Sequence, residues 1–334
     1  MGLFDKFKKN KNFENTPKPN VHNSFEQDLT YLMKKGVEFY RNNEYQKCLE
    51  ICEMILDVDP LDIEALNLKR TSLNLLDRKK EAVSVANQIL EIDENNFHTL
   101  GFLACDTFER SIGESIPMFT HLLKIYEQGV NDGNENFTMI EPNLVCQMYY
   151  VASRAFTDAY LSKEALHCID NCLLFSPDNN EFKHAKAVIL SDLKQEEKSN
   201  KILFELVRDD YQKFVSILGI ISNFTKLKNF DEVKKWSDEA EKISTTNYEK
   251  LQTLSLKARN AFEFEKDFPK SLELIEEYLL QEPSDTAALM LKMSLMKIFD
   301  KPLEAQEIAS KIIKIKPYIR NKVEFILNSE FNSL

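Results

Sequence analysis

Apolar residues recur along the chain in short helical stretches, and several of these stretches end at a proline. Pro60, Pro177, Pro283 and Pro317 close the stretches ILDVDP, LLFSP, YLLQEP and IIKIKP, and the last two prolines are 34 residues apart. Steps of 34 residues from Pro60 reach two further stretches of the same kind, ILEIDENN and LLKIYEQG. A fixed period of this length predicts a helical unit that is repeated along the chain.

The 34-residue period continues along the chain when two insertions are allowed, one of 15 residues and one of 4. It predicts eight units, near residues 29–62, 63–96, 97–130, 146–179, 180–213, 214–247, 252–285 and 286–319. Outside them we expect a tail and linker over residues 1–28, disordered or in a short amphipathic helix, and over 131–145 a surface loop or a lengthened end of one helix pair. Residues 320–334 predict a capping helix, with Val323, Ile326, Leu327 and Phe331 on one side.

The residues within the units resemble the tetratricopeptide-repeat family. Most units have a bulky residue at position 11, such as Phe39, Phe156, Phe224 and Phe262, and several have alanine at position 20, namely Ala82, Ala165 and Ala305. Only Gly36 keeps the glycine that the family has at position 8. The resemblance implies an all-α fold, a right-handed α-solenoid of about eight helix-turn-helix repeats with a capping helix. Each repeat consists of two antiparallel helices, A and B, which must stack on their neighbours to bury an apolar face.

The composition of the chain bears on its fold, on the kind of partner it binds and on where in the cell it is expected. The chain contains only 7 glycines among 334 residues, which favours helices over glycine-rich sheet and nucleotide-binding folds. Its net charge of −11 argues against nucleic acid as a partner, because phosphate binding requires a basic surface. The sequence has no apolar run long enough to span a membrane and its start does not read as a secretory signal, so we expect a cytoplasmic protein.

Two cysteine pairs raise the question of a metal or redox site. Cys48 and Cys52 lie in KCLEICEMILDVDP, while Cys168 and Cys172 lie in HCIDNCLLFSPD beside His167. The repeat places three of these cysteines at helix contacts, where cysteine behaves as a small apolar residue, and Cys168 nearer the outer side. No catalytic sequence motif is present. We therefore expect no metal, no cofactor and no enzyme; a metal protein using this cluster stays the alternative.

The resemblance implies that the A helices line a concave groove, with positions 2, 5, 9, 12 and 13 facing into it. At these positions the sequence has residues that could anchor a partner. They are Tyr40, Arg41, Asn67, Asn74, Phe108, Tyr150, Arg154, His184 and Asn260, together with His98, Lys226 and Lys297. The carboxylate clamp of one family subtype is absent, because its positions in the first unit hold Met33 and Val37. The expected function is a scaffold that binds a peptide or helix of another protein.

The N-terminal tail carries an alternative function. In a helix, Leu3, Phe4 and Phe7 would share one side, with Lys6, Lys8 and Lys9 around the remainder. A basic amphipathic segment of this kind binds anionic membranes reversibly. The chain would then be a peripheral assembly factor at the inner face of a membrane, recruited through this weak contact.

Overall fold

The computed structural model describes the backbone of residues 21–329 and the side chains of residues 28–135 and 137–329. Every regular element within these residues is a helix, and consecutive helices within each of the two units described below pack against each other. This order confirms the predicted all-α solenoid of helix-turn-helix repeats. The chain divides into two compact units between Glu141 and Pro142, and each is described separately below.

The first unit contains three packed helix pairs within its described residues. The pairs are α1 with α2, α3 with α4, and α5 with α6, and a one-turn helix α7 follows them. The bounds are Val21–Arg41 for α1, Tyr45–Leu56 for α2, Ile63–Leu75 for α3, Lys79–Ile92 for α4, Phe97–Arg110 for α5, Ile112–Asn131 for α6 and Glu135–Thr138 for α7. Below, the first helix of each pair is its A helix and the second its B helix.

The second unit continues with five more pairs and a final helix within its described residues. The bounds are Pro142–Asp158 for α8, Ser162–Phe175 for α9, Asn180–Asp192 for α10, Glu196–Arg208 for α11, Lys213–Lys226 for α12, Phe230–Ile243 for α13, Asn247–Asn260 for α14, Phe268–Gln281 for α15, Thr286–Ile298 for α16, Pro302–Ile315 for α17 and Arg320–Asn328 for α18. A π-helical turn, Ala261–Glu265, follows α14, and a short 3₁₀ turn, Pro317–Ile319, precedes α18.

A left-handed residue marks the turn inside most pairs. It lies two residues before the B helix and has a φ of 55° to 61° at Asn43, Asp77, Tyr160, Lys194, Lys228, Lys266 and Asp300. Glycine is the residue that adopts this conformation without steric strain, yet the chain uses side chains of every size there. Seven of the eight pairs in the described residues therefore have a strained residue at a turn where glycine would be free of strain.

Side-chain caps begin several of the A helices. Asp62, Asn96, Asn179 and Asp285 each accept a hydrogen bond from the backbone N–H of the first turn that follows. Thr246 forms a reciprocal capping box with Glu249 at the start of α14. These caps satisfy amide groups that have no partner within the helix, and they favour the start of these five A helices at the observed residues.

Small polar residues join the two helices of a pair where they approach most closely. Ser199 Oγ on α11 donates to the carbonyl oxygen of Ala187 on α10 at 2.7 Å, and Ser271 Oγ on α15 donates to that of Ala258 on α14 at 2.8 Å. Both serines are fully buried. A small side chain permits the close approach, and its hydrogen bond satisfies the hydroxyl group that is buried there.

Helices are present in the described parts of the two segments that lie outside the expected repeats. Helix α1 begins at Val21, inside the expected linker, and residues 131–145 contain α7 and the first turn of α8. Phe137 of α7 lies directly over Gly129 of α6, where an added Cβ atom would come within 2.3 Å of its ring. The same ring also contacts Phe97 and Tyr126, with ring centroids 6.2 and 6.4 Å apart. Aromatic packing thus holds this segment against the last pair of the first unit.

The expected capping helix is present as α18, which packs against both α16 and α17. Val323 is fully buried in this contact, and Ile326 and Leu327 are half-buried. Phe331 lies outside the described residues. Lys297 Nζ on α16 donates to the carbonyl oxygens of Ile326 and Ser329 at 2.6 and 2.7 Å. A cation thus satisfies carbonyl groups at the end of α18, which a helix leaves without partners.

Candidate binding face of the A helices

Arg70 of α3 is not one of the predicted groove residues. Three predicted groove residues of the first unit nevertheless lie around it. Asn67 lies one turn before it on the same helix and accepts a hydrogen bond from its Nη2 at 3.4 Å. Tyr40 of α1 and His98 of α5 are both close enough to couple electrostatically with Arg70. Residues from three successive A helices therefore meet at one place, which we call the Arg70 cluster.

The guanidinium of Arg70 is enclosed by side chains of neighbouring helices. Arg70 is only 6% exposed, and its guanidinium carbon lies 4.8 Å from the centroid of the Phe102 ring on α5. Thr99 Oγ1 of α5 donates to Asn67 Oδ1 at 3.3 Å, so α3 and α5 are joined beside it. The buried Nε atom has no hydrogen-bond partner, and no carboxylate pairs with Arg70 among the described residues. A buried cation without a counter-charge is unusual.

Burial dominates the electrostatics of this cluster. It lowers the pKa of Arg70 to about 10, while interaction with Tyr40 acts in the opposite direction. Partial desolvation and the charge of Arg70 together lower the pKa of His98 below its usual value. At neutral pH His98 is therefore uncharged, and the cluster carries the single positive charge of Arg70.

The other predicted residues of the first unit lie around this cluster or contribute to packing. Arg41 is exposed and lines, with Met33 and Val37, a shallow hollow of about 460 Å³ along α1. Asn74 is exposed near the end of α3. Phe108 is half-buried and packs edge-to-face against Phe119 of α6, with ring centroids 6.3 Å apart.

A second set of predicted residues meets in the second unit. The Tyr150 hydroxyl group on α8 donates to Glu181 Oε1 on α10, and its ring lies 5.1 Å from that of Phe182. Burial and Glu181 raise the pKa of Tyr150 to about 12, and Arg154 is near enough to oppose that shift. Arg154 is exposed, whereas His184 is half-buried and burial lowers its pKa. Tyr150 thus joins two A helices, beside an accessible arginine.

The remaining predicted residues are engaged inside the chain. Asn260 is only 8% exposed, and its Nδ2 donates to Ser237 Oγ of α13 at 2.9 Å. Lys226 Nζ donates to Ser191 Oγ of α10 at 2.7 Å, and Lys297 holds α18 as described above. Asn260 and Lys297 therefore serve contacts between helices, and neither offers a free binding group.

Arg70 itself was missed because it stands at position 8 of its unit, where the family has a small residue that faces the partner helix. The sequence did contain a signal for Arg70. Packing restricts this position to small residues, and a long cationic side chain stands there instead. In the structure its length lets the charged end reach past the helix contact towards Tyr40, His98 and Phe102. Arginine side chains commonly place their charged end away from the backbone in this way.

The cysteines pack between helices. Cys48 and Cys52 are completely buried thiols, and Cys48 Sγ accepts a hydrogen bond from Ser72 Oγ of α3 at 3.3 Å. Cys168 was expected nearer the outer side; it is completely buried, as is Cys172. Within the described residues no group of three His, Cys, Asp or Glu side chains is arranged to hold a metal ion.

The tail residues Leu3, Phe4, Lys6, Phe7, Lys8 and Lys9 lie outside the described residues. Among the helices that the structure describes, none combines the length and the apolar character needed to cross a membrane.

Comparison with known proteins identifies similar folds at low sequence identity. The chain resembles a tetratricopeptide repeat protein from Parabacteroides merdae, at 12% identity and a TM-score of 0.44, over 90% of this chain and 98% of that one. PilF of Pseudomonas aeruginosa is 10% identical with a TM-score of 0.45, over 68% of this chain and 96% of that one. The Cut9–Hcn1 hetero-tetramer of the APC/C is 11% identical with a TM-score of 0.48, over 89% of this chain and 55% of that one. No protein-family profile and no curated protein sequence matches the chain.

Proposed function

We propose that this chain is a non-enzymatic scaffold that binds a peptide or a helix of another protein along the groove lined by its A helices. The observation that supports this most directly is the Arg70 cluster, in which side chains of α1, α3 and α5 meet. Half-buried aromatic rings beside an arginine are typical of the centre of protein-binding surfaces. Helix pairs that only needed to stack would bury apolar residues there instead.

Photo-crosslinking tests where a partner binds. A photoreactive phenylalanine analogue is placed in the full chain at Asn74, which is exposed on α3, or at Gln88, which is exposed on the B helix α4. Both variants are mixed with a library of short peptides of random sequence that are acetylated and amidated at their ends. We expect peptide adducts from position 74 and none from position 88. Equal yields from both positions, or no bound peptide at all, would refute binding along the A helices.

The patch around Tyr150 in the second unit is tested in the same library. Tyr150→Ala removes the ring and the hydrogen bond to Glu181, while Arg154→Glu reverses an accessible charge. If this patch contributes to binding, both variants change the set of bound peptides. A set that both variants leave unchanged would restrict the binding surface to the first unit.

A peripheral membrane role is the alternative proposal, and the composition of residues 1–12 supports it. Flotation of the full chain with vesicles that contain phosphatidylserine, compared with a chain that lacks these residues, decides the question. Flotation that depends on residues 1–12 and on the anionic lipid supports the role. Equal flotation of both chains, or of neither, excludes recruitment through the tail.

A further inference from the structure

Most of the hydrogen-bond capacity of the Arg70 guanidinium is unused within the described residues. The Nε atom of Arg70 is buried without a partner, and Nη2 makes only the 3.4 Å contact with Asn67 Oδ1. Asn67 Oδ1 also accepts from Thr99 Oγ1 at 3.3 Å. Within the described residues Asn67 Nδ2 donates to no other group. The guanidinium of Arg70 and the amide of Asn67 thus each retain a hydrogen-bond donor without a partner among the described residues.

The surroundings of Arg70 strengthen any ion pair formed there. Phe102 lies against the guanidinium and Arg70 is only 6% exposed, so an anion at this place is shielded from much of the solvent. Opposite charges attract more strongly where the local dielectric constant is low. The free chain leaves this cation without a counter-charge, so an anionic ligand gains the interaction without displacing an internal carboxylate.

We propose that Arg70, with Asn67 beside it, is the receptor for a single aspartate or glutamate side chain of the bound peptide. This inference rests on the proposed function, because it names the chemical group that the groove selects. A carboxylate accepts hydrogen bonds in the planar geometry that a guanidinium offers. Its single negative charge also matches the single positive charge of the cluster. A phosphate carries more charge than this cluster balances, since His98 is neutral and no lysine contacts Arg70 among the described residues.

The position of the cluster favours an internal acidic residue over the end of a chain. Arg41 on α1 and Asn74 on α3 are exposed on the same A helices, beyond the cluster itself. A peptide that contacts these residues as well crosses from α1 to α3 and extends beyond Arg70 along the A helices. The acidic side chain therefore belongs to a segment that runs across the A helices, with apolar neighbours that can pack on Tyr40 and Phe102.

The experiment is a double-mutant cycle between peptide and protein. Peptides that bind the full chain in the amidated library are synthesised again with each Asp or Glu replaced by its amide, and their affinities are measured for wild type and Arg70→Met. In wild type, we expect one replacement to weaken binding by about tenfold or more, as for a charge-assisted contact. In Arg70→Met the same replacement should change affinity by less than about twofold. Arg110→Met, which removes an exposed arginine paired with Asp106, should behave as wild type.

Two further measurements keep the result interpretable. The circular dichroism of Arg70→Met shows whether the helices are intact, and Arg70→Lys keeps the charge while losing the planar donors, so it should retain part of the acid preference. In the wild-type chain, the Nε–H resonance of Arg70 should shift on addition of the acidic peptide but not of its amide counterpart.

The outcomes separate this inference from the proposed function. Peptides that crosslink at position 74 without any acidic preference, or whose acidic preference is the same in Arg70→Met, refute the role of Arg70 and leave the groove function standing. Failure of any peptide to bind refutes the groove function itself, and the assignment of its ligand with it.

Discussion

Replacing Arg70 with methionine should make the free chain more stable. Methionine has a similar length and flexibility but carries no charge, so it fills the space beside Phe102 without requiring a counter-charge. Most substitutions of buried residues destabilise a protein. The opposite sign is expected here because Arg70 is 6% exposed and has no carboxylate partner among the described residues.

The pKa of Arg70 gives the magnitude. Its decrease from 12.5 to about 10 on folding corresponds to about 3 kcal/mol, at about 1.4 kcal/mol per pH unit. Because the folded pKa lies below the unfolded one, this penalty is fully present at neutral pH and is relieved only as the pH rises through about 10. The substitution also removes the contact with Phe102, about 1 kcal/mol, and the long hydrogen bond to Asn67, about 1 kcal/mol or less. The net expectation is a gain of about 1 kcal/mol.

Hydrogen exchange is the most direct assay, because stability in a stacked helical repeat is largely local. The backbone amides of α3 should exchange about fivefold more slowly in Arg70→Met, which corresponds to a gain of about 1 kcal/mol. Thermal unfolding should show a midpoint that is higher by a few degrees. Arg110→Met is the control: its exposed pair with Asp106 contributes about 0.5 kcal/mol or less, so no gain is expected.

A faster exchange of the α3 amides in Arg70→Met would refute this reasoning. It would mean that the guanidinium stabilises the contact between α3 and α5, and that its Nε–H group finds a hydrogen-bond acceptor in solution. Arg70 would then be a structural residue, and its burial would no longer indicate a missing ligand.

Three further predictions concern stability and accessibility. Tyr160→Gly should stabilise the chain by about 0.5–1 kcal/mol in urea unfolding, because Tyr160 has a φ of 60° and is 92% exposed. The control is Tyr31→Gly inside α1, which should instead destabilise the chain by about 1 kcal/mol. Lys297→Met should accelerate amide exchange in α18, with a loss of about 1–2 kcal/mol from two charge-assisted bonds, and exchange unchanged there would contradict the capping role. Cys48 and Cys52 should react with a thiol reagent only after unfolding, since both are completely buried, and rapid reaction of the folded chain would contradict their packing.

The helix pairs could be predicted from the sequence because each pair repeats the same packing problem. Pro283 and Pro317 mark equivalent ends, and the buried residues Ala82, Ala165 and Ala305 share one position in the repeat. These residues are constrained by contacts with their immediate neighbours in sequence. Local constraints of this kind leave a periodic pattern that a single sequence displays.

The face on which Asn260 lies could not be predicted in this way. The repeat position of Asn260 was obtained by counting residues backwards from α15. That count crosses the π-helical turn Ala261–Glu265, which contains more residues per turn than an α-helix. Asn260 is therefore rotated into the contact with α13, where it resembles Asn223, which is also buried and donates to Ser199 of the preceding pair. An inserted residue inside a helix changes the exposed face without changing the hydrophobic pattern enough to be recognised.

The binding cluster was predicted only in part, for a related reason. Tyr40, Asn67 and His98 follow from their positions in the repeat, but Arg70 departs from it. A pattern of repeats predicts the residues that obey it. A residue that departs from the repeat, as Arg70 does, stands out only when its burial and its hydrogen bonds are known.

Helix α18 also covers one face of the last helix pair that the structure describes. It occupies the face of α16 and α17 against which another pair would pack, and Lys297 fastens its last turn there. A second copy of the chain consequently cannot add to this end as a further repeat, which protects against the head-to-tail fibres that open repeat stacks can form. For protein engineering, extra pairs would have to be introduced before Pro317, so that the final helix is moved outward and continues to end the array.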